Sequence, residues 1–424
     1  MMSPKFLPIL ALSLACMSPR PADAQVALPQ VQLPQLPVQL PVDVNRTLDA
    51  ASPEQLRELR RLRIRDLLRT NRTVLEADPR GAPVVRSEIV ALSPSPEALR
   101  KAEAAGYTVV RRNEIEGLDI TTVVLRAPAG MSTRRALREL QRNDPQGTYD
   151  FNHLYMESGA AETTAVDGPQ SPALRFPDTR VGLIDGGVDG SHPSLVHARL
   201  QQHGCAAPIP SAHGTAVASL LVGSASDFRG AAPGAQLYSA DVYCGLGTGG
   251  AVDAVVNAFG WLVRERVPVI NVSLVGPANR MLEQVVRLVI ARGHLIVAAV
   301  GNDGPASPAL YPAAYPGVVA VTGVDARNRV LLEACRGSHV RFAAPGADLR
   351  AATLQQTYAS VRGTSFAAPL VAGLLARRLS TPDVKQAGQA LALLASHAQD
   401  LGAKGTDRIY GKGLVGAELR IDEN

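Results

Sequence analysis

The sequence predicts an α/β protein in which a mostly parallel sheet is covered by helices on both faces, preceded by a small, separate α+β domain. Three observations predict it. From about residue 180 onward, short apolar runs without strict alternation (RVGLIDG, AQLYSADVY, PVINVSL, LIVAAVG, VVAVTGV) are interleaved with others of helical type (VDAVVNAFGWLVRE, RMLEQVVRLVIARG). Strands buried on both faces and separated by helices read as a parallel sheet. Between about residues 84 and 155 the runs follow a β-α-β-β-α-β order, which sets two helices on one face of a four-stranded antiparallel sheet, the ferredoxin-like arrangement. Finally, 424 residues with a 46% hydrophobic content suffice for two or three domains with full cores and exclude a disordered chain.

Taken in order, residues 1–24 carry Lys5, an apolar run from Phe6 to Met17 and the small-residue tripeptide Ala22-Asp23-Ala24, the parts of a secretory signal peptide. The apolar run is too short to span a bilayer, and no later run is long and uninterrupted enough to do so. Export is therefore expected and a stable membrane anchor is not. Lipoprotein processing at Cys16 is the weaker reading, because Ser13 stands where such signals usually have leucine.

Residues 25–82 divide into a spacer and a helix. The spacer, VALPQVQLPQLPVQLPVDV, repeats a Leu-Pro theme that favours extended polyproline geometry. In PEQLRELRRLRIRDLLR, Leu56, Leu59, Ile64, Leu67 and Leu68 fall near one face of a helix, with arginines largely opposite. The formal net charge of +5 reflects this local excess. A solvated amphipathic helix accounts for it; nucleic-acid or membrane-surface binding needs a broader basic surface or a second anchor, so neither partner is expected.

Residues 83–158 hold the small domain, with strands VVRSEIVAL, YTVVRRNEI, LDITTVVLR and GTYDFNHLY and helices PEALRKAEAAG and STRRALRELQRN. Residues 159–177, rich in small and polar residues and proline, read as an exposed linker and the natural place for a processing cut. Residues 178–424 form the large domain. Ligands of parallel sheets bind at the carboxyl ends of the strands, and the residues able to do chemistry lie just after its apolar runs.

Asp185 closes VGLI ahead of Gly186 and Gly187; alone, it is a common strand-to-turn device. His213 opens HGTAVASLLVG, where Gly214, Ala216 and Ala218 allow close helix packing; alone, it could cap the helix or fill space. Ser365 lies in GTSFAAP, ahead of a helical run. Capping is the commonest role for serine there, but the same position presents a hydroxyl where backbone N–H groups and the helix dipole stabilise negative charge. Asn302, in AAVGNDGP after the run LIVAAV, is either a turn residue or an amide donor to an oxyanion.

The ordered set VGLIDGGVDGSHP, HGTAVAS, AAVGNDGP and GTSFAAP resembles the subtilisin-like serine peptidases over about residues 180–414, a stretch that also contains LYSADV, VPVINVSLVGP and YGKGLV. The chain order Asp, His, Ser is that of subtilisin. The resemblance implies a subtilisin-like large domain and an exported serine endopeptidase acting on polypeptides through an acyl-enzyme, with no cofactor. Ser365 is then the nucleophile, His213 the general base and later acid, and Asp185 the group that orients the imidazole. Asn302 and the Ser365 backbone N–H become the oxyanion donors.

The resemblance implies further that residues 272–276 are the edge on which substrate lies as an added strand, with Ser273 and Leu274 as binding residues. Val275 replaces the usual glycine and narrows that edge. Leu310 corresponds to the floor of the primary specificity pocket, so a small or medium uncharged residue is expected before the scissile bond. Gly186 stands in place of a threonine and Phe366 in place of a methionine; neither is a reacting group. The loop GSASDFRG, residues 223–230, is shorter than the family's calcium loop and offers only Asp227 as a carboxylate, so no metal is expected there. Residues 83–158 take the role of a propeptide, chaperone and inhibitor in cis, whose tail enters the cleft. Cleavage within residues 156–177 then releases a secreted or periplasmic enzyme.

Once Cys16 leaves with the signal, Cys205, Cys244 and Cys335 remain, and three thiols allow three single pairings. Cys205 and Cys244 both flank segments on the active-site side of the sheet and are the favoured pair, which leaves Cys335 free and buried. Two other readings compete. A catalytically silent relative that only binds peptides would keep the substrate edge without turnover. An α/β-hydrolase esterase would need a G-x-S-x-G elbow and the order Ser, Asp, His, and the chain has neither.

Overall fold

The computed structural model describes residues 52–158, 160–165 and 175–420. The expected signal peptide, the proline-rich spacer and most of the 159–177 segment read as a linker lie outside the described residues. Helix α1 (Pro53–Thr70) starts at a reciprocal cap: the Ser52 hydroxyl accepts from the Gln55 N–H and the Gln55 side chain accepts from the Ser52 N–H. Leu56 is buried, but Leu59 is 45% exposed. The stripe that meets the rest of the protein runs through Leu56, Arg60, Ile64 and Leu67 at steps of four, four and three, so Arg60 takes the place expected for Leu59.

The small domain follows with β1 (Leu75–Ala77), β2 (Pro83–Leu92), α2 (Pro96–Ala104), β3 (Thr108–Ile115), β4 (Ile120–Arg126), α3 (Thr133–Asn143) and β5 (Thr148–Glu157). Its strand order β5-β2-β4-β3 is antiparallel throughout, the ferredoxin-like arrangement expected from the sequence. Serines 95 and 132 cap its two helices. One face of the sheet buries Ile89, Leu125 and Phe151 beneath Leu137 and Leu140. The other face, through Val90, Val124 and Ile115, joins the core of the large domain.

The large domain comprises β6 (Ala160–Ala165), β7 (Arg180–Asp185), β8 (Leu200–His203), α4 (Ala212–Val222), the hairpin β9 (Ser224–Ala225) and β10 (Phe228–Arg229), β11 (Gln236–Asp241), β12 (Gly250–Ala251) and α5 (Val252–Arg264). It continues with β13 (Val269–Val272), β14 (Leu274–Val275), α6 (Arg280–Ala291), β15 (Leu295–Ala299), β16 (Val319–Val324), β17 (Val340–Pro345), β18 (Leu349–Ala352), β19 (Tyr358–Arg362), α7 (Thr364–Ala376) and α8 (Val384–Ser396). Seven strands in the order β17-β16-β15-β13-β7-β11-β8 form one parallel sheet. Alternate residues feed opposite cores. Val181, Leu183 and Val297 face α4, α7 and α8, whereas Ile184, Ile270 and Ile296 face α5 and α6. Every residue of α7 is buried, which explains a run that is apolar all round. Among the described residues no helix is long and apolar enough to cross a membrane.

The two domains meet along α5 and the start of α6. Gly260 leaves no room for a Cβ because Ile115 of the small domain occupies that space. Arg111 bridges Glu88 (2.6 Å) and Asp253 (2.9 Å) across the seam. Asn279, the N-cap of α6, donates to the Phe151 carbonyl (3.0 Å), and the Asp150 carboxylate accepts from the Arg280 N–H (2.7 Å), a negative charge at a helix N-terminus.

Candidate active site

Asp185 ends β7 with no exposure to solvent. Its Oδ1 accepts from the Gly186 N–H (2.7 Å) and lies 2.9 Å from His213 Nδ1. His213 is the second residue of α4, whose first turn is capped by the Ser211 hydroxyl accepting from the Gly214 N–H (2.8 Å). Two glycines permit this junction: a Cβ on Gly214 would collide with the Gly186 carbonyl, and one on Gly186 with the Ser211 hydroxyl. The space a side chain at Gly186 would need is filled by Ser211. Ser365, the second residue of α7 and fully buried, places Oγ 3.1 Å from His213 Nε2. Three distant stretches of chain thus converge in one line, carboxylate to imidazole to hydroxyl.

Asn302 follows β15 on the same side. Its Oδ1 accepts from the Thr364 N–H (3.1 Å), while Thr364 Oγ1 accepts from the Gly301 N–H (3.1 Å). The carboxamide is fixed by its oxygen, and its Nδ2 has no acceptor among the described residues. Ser273 donates its hydroxyl to the Ser365 carbonyl (2.9 Å) and accepts from Asn271 Nδ2 (2.8 Å). Thr364 and Asn271 were not singled out from the sequence. Asn271 carried a signal, a polar residue inside the apolar run PVINVSL.

The tail of β5 lies antiparallel between two short strands. Gly250 and Ala251 of β12 pair with Tyr155 and Leu154; Leu274 and Val275 of β14 pair with Glu157 and Met156. Leu274 and Val275 are thus in register with the small domain's own chain. The pairing brings in a residue the sequence did not single out: Glu157, Asp185 and His213 bring an oxygen, an oxygen and a ring nitrogen within 4.8 Å of one another. Both ring nitrogens of His213 are already engaged, by Asp185 and Ser365, so this cluster is an electrostatic one rather than a metal-ligand set. Burial alone would lower the pKa of His213, but the charge and hydrogen bond of Asp185, joined by the charge of Glu157, outweigh it and raise the imidazole to about 9. Desolvation pushes the Glu157 carboxyl above its usual range; His213 opposes this, and Asp185 and Asp241 add to it.

Leu310 (2% exposed), Val275 (8%) and Cys335 (1%) gather around Gly301, whose φ is +99°. A Cβ there would lie 2.5 Å from Leu310 Cδ1 and 3.5 Å from both Cys335 Sγ and Val275 Cγ1. Cys335 is free and buried; burial, aided by the nearby charge of Asp303, pushes its thiol up to about 12. Cys205 and Cys244 form a disulfide (S–S 2.04 Å) between the segments that follow β8 and β11. In the 223–230 loop, folded as the β9–β10 hairpin, Asp227 is paired with Arg350 (2.7 Å), which also donates to its carbonyl (2.6 Å).

A parallel sheet whose carboxyl edge aligns a carboxylate, an imidazole and a hydroxyl within hydrogen-bond reach defines an α/β protein with a Ser-His-Asp constellation. The Subtilase family, as peptidase S8, matches residues 177–413, and the chain belongs to that family. Subtilisin E of Bacillus subtilis is 30% identical over 312 residues, covering 69% of this chain and 80% of its own. Subtilisin DY of Bacillus licheniformis is 33% identical over 261 residues, covering 59% of this chain and 94% of its own. The crystal structure of fervidolysin from Fervidobacterium pennivorans, described as a keratinolytic enzyme related to subtilisin, shares the fold. Its TM-score is 0.64 at 20% identity, over 79% of this chain and 61% of that one.

Proposed function

We propose that the chain is an exported serine endopeptidase made as a self-processing precursor, with Ser365 as nucleophile, His213 as general base and acid, and Asp185 as the orienting carboxylate. The observation that carries this reading is the hydrogen-bonded line from Asp185 to His213 (2.9 Å) to Ser365 (3.1 Å) in a member of the subtilase family. A serine hydroxyl is inert at neutral pH until a base takes its proton. With Nδ1 held by Asp185, Nε2 is the nitrogen available to take it. The oxyanion formed on attack is met by the Asn302 Nδ2 and the Ser365 N–H at the start of α7, where the helix dipole adds to the stabilisation. Ser273, Leu274 and Val275 form the edge for the substrate backbone, and Leu310 limits the side chain before the scissile bond.

The small domain acts as propeptide and inhibitor, since its tail fills the cleft along β12 and β14. Export is supported by the signal-like residues 1–24 and by the Cys205–Cys244 disulfide, which belongs to an oxidising compartment. The test is hydrolysis of an unrelated unfolded protein by the purified chain, abolished by a fluorophosphonate. Peptide binding without turnover would leave a silent relative instead.

The raised pKa of His213 sets a pH dependence. Protonation stabilises the folded precursor fully below the imidazole's ordinary value of roughly 6.5, and that contribution is lost as pH rises through about 9. A general base must be unprotonated, so the first-order rate of self-cleavage is expected to climb with pH through the same range. Glu157→Gln removes one of the charges that hold the proton and should move the ascending limb to lower pH. An unchanged profile would mean that Glu157 does not act on the imidazole.

A further inference from the structure

We propose that the first self-processing cut falls on the carboxyl side of Ser158, an inference that rests on the peptidase reading above. The strand register carries it. With Val275 opposite Met156 and Leu274 opposite Glu157, the antiparallel count brings residue 158 opposite Ser273, whose hydroxyl is bonded to the Ser365 carbonyl. One residue earlier, the Glu157 carboxylate sits beside His213 and Asp185. Two residues later, Ala160 of β6 pairs with Arg362 of β19, which leads directly through Gly363 and Thr364 to Ser365. The chain is therefore held at residues 156–157 and again at residue 160 by strands that flank the nucleophile, and within that interval the register sets residue 158 opposite Ser273.

Residue size agrees with the register. Ser158 is 5% exposed, and its hydroxyl has no hydrogen-bond partner among the described residues, so the position takes a small side chain without recognising a polar one. Val275, which pairs with Met156 two residues before Ser158, crowds Gly301 together with Leu310 and Cys335, and in the peptidase reading these side chains bound the pocket for a residue of that size. In the step itself, Ser365 Oγ bonds to the Ser158 carbonyl carbon while its proton passes to His213 Nε2. The C–N bond to the next residue breaks, and the leaving amine takes that proton. Water then hydrolyses the ester, leaving a carboxylate on Ser158 and regenerating the hydroxyl.

The experiment follows the full exported chain from its earliest cleavage and identifies the C-terminus of the N-terminal fragment by mass spectrometry. Wild type and Ser158→Ala are expected to end at residue 158. Ser158→Trp should slow that cut by about tenfold or more, because an indole does not fit a position that is only 5% exposed with serine in it. A first cut elsewhere, at the same place and rate in Ser158→Trp, would overturn the assignment. A cut elsewhere that still requires Ser365 leaves the peptidase reading intact, whereas a chain neither cut nor labelled by a fluorophosphonate removes both.

A second inference stands on separate contacts: the geometry points to α1 as a latch that retains the small domain on the enzyme after the cut. At one end of the helix Leu67 and Leu68 pack with Leu75, Val85 and Leu154 of the small domain. At the other, Arg60 pairs with Asp303 (2.6 Å) and donates to the Ser307 hydroxyl (3.3 Å), and Arg57 donates to the Ala306 carbonyl (2.7 Å). Asp303 is the residue after Asn302, so the helix ties the small domain to the loop beside the oxyanion donor. The excess of arginine thereby gains a partner within the same chain.

The readout is the lag between appearance of cut chain on a gel and onset of peptide hydrolysis in the full-length protein. Arg57→Ala with Arg60→Ala, which removes all three contacts, should shorten the lag severalfold while the rate of the cut is unchanged. Matching melting temperatures in a Ser365→Ala background guard against a folding defect. A lag unchanged in the double variant would overturn the latch.

Discussion

Ser365→Ala is expected to leave the exported chain as uncut precursor and to lower peptide hydrolysis by on the order of 10⁶-fold, the scale for a triad deprived of its nucleophile. In the proposed mechanism Ser365 Oγ is the atom that forms the acyl bond, and the hydroxyls of Ser273 and Thr364 do not replace it, being committed to the Ser365 carbonyl and the Gly301 N–H. His213→Ala should cost nearly as much, and the double variant little more, because the two groups act as one unit. A gel of the purified chain checks the first statement. Processing of Ser365→Ala at the wild-type rate in a preparation free of other peptidases would mean that the cut is not the chain's own work.

Asn302→Leu is expected to lower kcat by roughly 10²- to 10³-fold with KM little changed, since a donor aimed at the oxyanion is engaged only when negative charge develops. The leucine also strands the Thr364 N–H, which Asn302 Oδ1 accepts, so loss of a structural contact must be separated from loss of the donor. Asn302→Asp makes the separation. The carboxylate can still accept from Thr364 and preserve the start of α7, but it offers no amide proton and repels the oxyanion. Its kcat should fall as steeply as that of the leucine variant while its melting temperature stays near wild type. A rise in KM at unchanged kcat in both variants would assign Asn302 to substrate binding instead.

What the sequence discloses divides along physical lines. Five of the seven strands of the parallel sheet, β7, β11, β13, β15 and β16, were legible because they are buried on both faces, whereas β8 (LQQH), half-exposed at the sheet edge, and β17, interrupted by the exposed Arg341, carry no such apolar run. Asp185, His213 and Ser365 were legible because each sits where such a run gives way to a turn or a helix. The small domain was equally open, since its serine caps and alternating runs act locally. The supports of the site were less so. Thr364 works through one backbone and one side-chain bond to Asn302 and Gly301, and nothing local distinguishes it from any threonine at a helix start.

The pairing of the β5 tail depends on strands only two residues long, β12 and β14, too short to carry a periodic signal. Hence the place of Glu157 beside His213 emerges only in three dimensions. The choice of Arg60 over Leu59 on the buried stripe of α1 was hidden for a related reason. An arginine stem can cover apolar surface while its head reaches a carboxylate, and Asp303 lies 243 positions away in sequence.

The central claim is that His213 activates the Ser365 hydroxyl for attack. Incubation of the mature chain with a fluorophosphonate, followed by peptide mass spectrometry, tests it at that atom. A single adduct on Ser365, formed in wild type in parallel with loss of hydrolysis and suppressed in His213→Ala, is the predicted result. Full hydrolytic activity with Ser365 unmodified, or equal labelling without the imidazole, would contradict it.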